Sequence, residues 1–189
     1  MALGDALVEW ETTLRDLGAP VDEILLPGIS PEQVRMTLGR EDVHPDVAAW
    51  FGWHDGSRGP WMPIPSGRYL WSLESVIRIQ VSIKQVDETT PFPELAANRE
   101  HLLPLMDNDS NDTLMADLRT GEAYRWEVEE MVPGSPPLLR IGDGLEQVVR
   151  IWVDALHGMD VTYDPELSAF QADGSQVRSD LIERGIVIV

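Results

Sequence analysis

At 189 residues, 43% hydrophobic and 25% charged, the chain is long enough for one domain with a real core and too apolar for wholesale disorder. Its formal net charge of −19 disfavours direct contact with nucleic acid or an anionic membrane and suits either simple solubility or a basic partner. The absence of cysteine removes disulfides, thiol nucleophiles and thiolate metal sites together, and no apolar run reaches the roughly 18–20 residues of a membrane span.

The opening stretch, MALGDALVEWETTLRD, is acidic and amphipathic, unlike a secretion signal, so a cytosolic location is expected. Leu3, Leu7, Trp10, Leu14 and Leu17 line one helical face, and Gly18 and Pro20 close that helix. Ser30-Pro31-Glu32-Gln33 predicts a capped helix start: N-cap serine, proline at the first turn and a glutamine three residues on. Ile29 and Val34 can staple it, and Gly39 marks its end. Pro45 opens another helix, in which Val47, Trp50 and Phe51 share a face. GSRGPWMPIP, over 56–65, is a turn-rich loop. Residues 76–86 are rich in β-branched side chains, yet Ser72-Leu73-Glu74-Ser75 is a helix start, and the segment is assigned as helix.

Residues 87–100 are expected as a polar loop. Strands are predicted over Leu102–Met106, Thr113–Leu118 and Ala123–Val128, with a Gly turn at 119–122, followed by a short strand at Leu138–Ile141. Asp143 and Glu146 suggest a capping box for an amphipathic helix carrying Leu145, Val148, Val149, Trp152 and Leu156, ended by Gly158. An apolar patch at Val161–Tyr163 and a final strand at Gly185–Val189 complete the chain. The order predicts an α+β fold: an antiparallel meander sheet packed by flanking helices, in a single domain over 1–189.

Candidate chemistry is sparse. The turn Asp107-Asn108-Asp109-Ser110-Asn111-Asp112 invites a calcium reading, but an EF-hand loop needs glycine at its sixth position and glutamate at its twelfth. Here those positions hold Asp112 and Leu118, so no metal is expected. Trp53-His54-Asp55 suggests an oriented histidine, but side chains adjacent on a helix diverge by about 100°, and no nucleophile elbow or paired-histidine motif accompanies it. Trp10 and Trp152 sit on apolar helix faces, whereas Trp53, Trp61 and Trp71 surround the turn-rich loop and could either anchor a partner or fill a satellite core. From Asp107 to Glu130 the carboxylates of Asp107, Asp109, Asp112, Asp117, Glu122, Glu127, Glu129 and Glu130 face only Arg119 and Arg125. That is either a solvated hairpin surface or a negative face that speeds capture of a basic partner.

Four segments occur in an informative order: the PEQV helix, HPDVAAWFGWHDG (His44–Gly56), LLPLMDNDSNDTLMADLRTGEAYRW (Leu102–Trp126) and the closing helix of GDGLEQVVRIWVDAL. Together, over roughly 24–157, they resemble the SUKH superfamily, which includes yeast cell-wall-assembly regulators of the Smi/Knr type and many bacterial toxin-immunity proteins. Leu103-Pro104-Leu105-Met106-Asp107 fits the family's pattern, and Asp112 and Asp117 fall where its aspartates stand. Asn111 replaces the glycine expected before Asp112, and asparagine tolerates the left-handed conformation. The N-terminal helix and the C-terminal strand are then extensions.

The resemblance implies an α+β domain whose sheet is partly exposed along one groove, and a role in binding another protein rather than catalysis. The commonest bacterial role of such domains is neutralising a toxin, often a nuclease, whose basic groove an acidic inhibitor would suit. The alternative is a scaffold or regulator of the same fold tied to cell-envelope processes. Partner contacts are expected at Trp53, Asp55, Trp61, Asp107, Asp109, Asp112, Asp117 and Glu122. No cofactor, metal, nucleic acid or membrane is expected among the partners.

Overall fold

The computed structural model describes residues 2–59, 61, 63, 65–85, 93–108, 112–127, 138–167, 169–173 and 179. The predicted final strand at Gly185–Val189 lies outside them.

Helix α1 (Leu3–Asp16) buries Leu3, Leu7, Trp10 and Leu14 of the predicted stripe together with Ala6, while Leu17 is its half-buried C-cap and Gly18 follows at φ 94°. A short helix α2 (Val21–Ile24) leads into strand β1 (Leu25–Pro27). Helix α3 (Pro31–Leu38) starts as its sequence requires: the Gln33 N–H donates to Ser30 Oγ at 3.2 Å, the Ser30 N–H donates to Gln33 Oε1 at 2.9 Å, and left-handed Gly39 ends it. Helix α4 (Pro45–Trp53) is capped by the His44 ring, whose Nδ1 accepts from the Asp46 N–H at 3.2 Å. Strand β2 (His54–Ser57) pairs antiparallel with β1.

Strand β3 (Tyr69–Leu70) precedes α5 (Leu73–Lys84), the helix assigned to the β-branched segment. The helix forms despite its strand-like composition because Ser72 accepts from the Ser75 N–H and the Asp55 carboxylate from the Leu73 N–H. Its buried side then places Leu73, Val76, Gln80 and Ile83 at helical spacing. The expected polar loop over 87–100 is corrected in part: α6 (Pro93–Asn98) is helical.

Strands β4 (Leu102–Asp107), β5 (Asp112–Asp117), β6 (Ala123–Glu127) and β7 (Leu138–Gly142) join β3 in a five-stranded antiparallel meander ordered β3-β4-β5-β6-β7. The register pairs Pro104 with Met115, Leu114 with Arg125 and Arg125 with Leu139. Helix α7 (Leu145–Gly158) and a hairpin of β8 (Asp160–Asp164) and β9 (Ala169–Asp173) follow. The α7 start differs from expectation. Gly144 is the N-cap and no side chain caps the helix; the Asp143 carboxylate accepts from Arg140 instead, and Glu146 pairs with Arg150.

Because strand side chains alternate, the sheet has a core on each face. Leu103, Leu105, Leu114, Ala116 and Ala123 pack in one cluster with Trp10, Trp50, Phe51 and Trp152 of the helices. Leu102, Met115 and Leu138 meet Ile83 of α5 and Leu95 of α6 in another. Every residue of β5 is buried. Partial exposure of the sheet, among the described residues, falls at its two sides: Tyr124 and Trp126 of β6 are half-buried and Arg140 of β7 is exposed, and Tyr69 of β3 and Asp107 of β4 are half-buried at the opposite edge. Among the described residues, no helix is long and apolar enough to cross a membrane.

Candidate functional site

The residues expected to meet a partner do not share one surface. Asp112 is 3% exposed and Arg68 0%. Asp112 Oδ1 accepts from Arg68 Nη2 at 2.7 Å, from Arg68 Nε at 3.2 Å and from Arg125 Nε at 3.1 Å, while Arg68 Nη1 donates to the Ser66 carbonyl at 2.9 Å. Asp112 is therefore the counter-charge of a buried guanidinium, and its expected place on an exposed acidic turn is corrected. Asp107, half-buried beside it, accepts from the Asn108 N–H at 2.8 Å; burial pushes its carboxyl above the usual carboxylate range. Asp109 lies outside the described residues.

Asp117 is likewise internal, at 4% exposure. Its Oδ1 accepts from the N–H groups of Arg119 at 2.7 Å and Thr120 at 3.1 Å, closing the turn into β6. Burial alone would raise its pKa; those N–H groups and the Arg119 guanidinium outweigh burial and hold the carboxyl below the usual carboxylate range. The stability this gives is fully present above the unfolded carboxylate pKa of about 3.9 and is lost as pH falls through the depressed folded value. Melting temperatures of wild type and Asp117→Asn should thus differ most above about pH 5 and converge on acidification. A constant gap across that range would mean that Asp117 acts through geometry rather than charge.

Glu122 is half-buried on the sheet side of β6, where Oε2 accepts from the Tyr124 hydroxyl at 2.9 Å and Oε1 pairs with Arg140 at 2.6 Å. Burial and the Glu122 carboxylate push the Tyr124 hydroxyl up to about 12.

The aromatic group lies elsewhere. Trp53 Nε1 donates to Glu11 Oε2 at 2.7 Å, and its ring sits 5.5 Å from Trp10 and 6.0 Å from Trp50. His54 bridges the same carboxylate and the backbone: Nδ1 donates to the Leu26 carbonyl at 2.7 Å, and Nε2 lies 3.3 Å from Glu11 Oε2. Asp55 Oδ1 accepts from the Leu73 N–H at 2.7 Å and holds the start of α5. Trp61 is 3% exposed, 6.2 Å from Phe170, and fills a core position rather than anchoring a partner.

Sequence reasoning missed a groove beside the first turn of α4 and the N-terminal half of α7. Its volume is about 560 Å³, and its wall includes Asp46, Asp143, Gly144, Glu146, Arg150 and Asp154. The Asp46 carboxylate overhangs Gly144, so a Cβ there would stand 3.5 Å from Asp46 Oδ2. Arg150, half-buried, donates from Nε to Glu146 Oε1 at 2.7 Å, and its Nη2 has no hydrogen-bond acceptor among the described residues. The Glu146 carboxylate holds Arg150 above its usual pKa against partial burial, and Glu9 and Asp5 of α1 act in the same direction. The groove is thus a largely acidic surface continuous with α1. Its sequence signal was faint, because the carboxylates come from separate elements. Among the described residues no group of His, Cys, Asp or Glu is arranged to hold a metal ion.

The groove adjoins the contact between two of the segments that carry the family pattern. The His44 N–H donates to the Leu118 carbonyl at 2.7 Å, and the His44 ring lies against Gly121 at φ 74°, where any Cβ would collide with the imidazole. No protein-family model and no curated protein matches the chain.

Proposed function

We propose that the chain is a SUKH-type protein-binding domain, and within that class a cytosolic immunity protein that occludes a basic, nuclease-type toxin. The observation that carries this reading is the net charge of −19. A field of that sign raises the capture rate of a positively charged partner and repels nucleic acid, so the inhibitor competes for the toxin without binding its substrate. The contact of His44 with Leu118 and Gly121 adds support, since it joins the two most informative segments of the family pattern into one unit.

The test is affinity capture with the tagged protein at about 0.15 M salt, near physiological ionic strength, from a source lysate supplemented with candidate toxin domains. Retained proteins are identified by mass spectrometry and assayed for nuclease activity with and without added protein. The expected result is one basic nuclease domain, retained in equal amount and inhibited on binding. Retention of envelope or housekeeping proteins alone would overturn the immunity role in favour of a regulator of the same fold.

A further inference from the structure

We infer that His54 is a proton-dependent clasp between α1 and the β1–β2 hairpin, closed when its ring is the imidazolium and loosened when the ring is neutral.

The geometry fixes which atoms donate. Nδ1 lies 2.7 Å from the Leu26 carbonyl, which can only accept, so Nδ1 carries a proton in either state of the ring. Nε2 lies 3.3 Å from Glu11 Oε2. A neutral ring protonated at Nδ1 points a lone pair at that carboxylate, and two acceptors then face each other. A second proton converts the same contact into a charge-assisted hydrogen bond. The side chains of His54 and Glu11 are 18% and 16% exposed, so water replaces the lost bond poorly when the ring is neutral.

Glu11 is a carboxylate already held by other donors. Its Oε1 accepts from Arg15 Nη2 and its Oε2 from Trp53 Nε1, each at 2.7 Å. Burial alone would raise its pKa; the Trp53, Arg15 and His54 donors outweigh burial and hold the carboxyl below the usual carboxylate range. Glu11 is therefore ionised wherever a histidine titrates. The other charges around the ring do not replace it. Arg15 of α1 is shared between Glu11 and Asp22 of α2, and β1 carries no ionisable side chain. Asp46, the ionisable residue of α4, sits at the far end of that helix, and Asp55 of β2 accepts from the Leu73 N–H.

The clasp acts on the second half of α1. Trp10 and Leu14 are fully buried and keep the helix in place without it, so the proton sets how firmly the last turns hold to β1 rather than whether the chain folds. A ring that gains a carboxylate partner on folding adds stability that is fully present below the unfolded histidine pKa of about 6.5. That stability is lost as alkalinisation removes the second proton.

The test follows the imidazole nitrogens of the labelled full chain by NMR between about pH 5.5 and 8.5, together with amide exchange over Glu11–Asp16 and at Leu26. Glu11→Gln removes the charge and keeps an oxygen for Trp53. His54→Asn keeps a donor near the Nδ1 position and removes Nε2. His54 should hold its second proton to a pH higher by about half a unit or more in wild type than in Glu11→Gln. The exposed His157 should titrate alike in both chains, which separates the local contact from the change in net charge. Half a unit is about threefold in an opening equilibrium. The protection of those amides in wild type relative to His54→Asn at equal pH should therefore be about threefold greater at the acid end than at the alkaline end. A His54 titration that Glu11→Gln does not move, or a protection ratio equal at both ends, overturns the inference. Each comparison decides the matter alone should the other variant fail to fold.

Discussion

Asp112→Ala is expected to lose about 3–5 kcal/mol of unfolding free energy, the range for breaking a buried ion pair by removing one partner. The reason is what the substitution leaves behind. Arg68 is 0% exposed and sends both Nε and Nη2 to Asp112 Oδ1. A guanidinium does not shed its proton to escape burial, so Asp112→Ala leaves a buried charge without the carboxylate that both Nε and Nη2 bond. Arg125 loses the same acceptor. Urea unfolding should show a lower midpoint with an unchanged slope. A loss under about 1 kcal/mol would mean that water reaches Arg68 and that the pair behaves as a surface bridge. Asp107→Asn is the informative contrast, because burial disfavours that carboxylate and neutralising it relieves the penalty.

This separates two uses of acidity in one chain. The carboxylates of the hairpins look in sequence like a solvated face, since only Arg119 and Arg125 lie nearby along the chain. Their decisive counter-charge comes from a distance: Arg68 reaches Asp112 across 44 positions. A binding experiment that neutralised Asp107, Asp109 and Asp112 together would confound folding with contact.

The same distinction explains what could be read from the sequence. Ser30 with Gln33, the α7 stripe from Leu145 to Leu156 and the paired strands from Leu102 to Glu127 are legible because their signals lie within a few residues of one another. Strands β1, β2 and β3 are too short to show alternation and exist through pairing with remote partners, as Leu25 with Ser57 and Tyr69 with Asp107. Asp143 looks like the N-cap of α7, but Arg140 occupies its carboxylate and Gly144 takes the cap position. The groove was hidden for the same reason as the Asp112 cluster, since α4 supplies Asp46 and α7 supplies Asp154.

Trp10→Ala is expected to cost about 3–5 kcal/mol, the range for truncating a buried tryptophan to alanine. Trp10 is fully buried where α1 packs on α7 and α4, with its ring 4.8 Å from Trp152 and 5.5 Å from Trp53. Truncation removes both ring contacts and opens a cavity that rigid helices fill poorly. Asp5 and Glu9 ride on α1, and Glu146, Arg150 and Asp154 on α7, so the acidic surface depends on how firmly those helices hold together. Hydrogen exchange should rise along α1 and α7 in Trp10→Ala, and along β5 and β6 in Asp112→Ala.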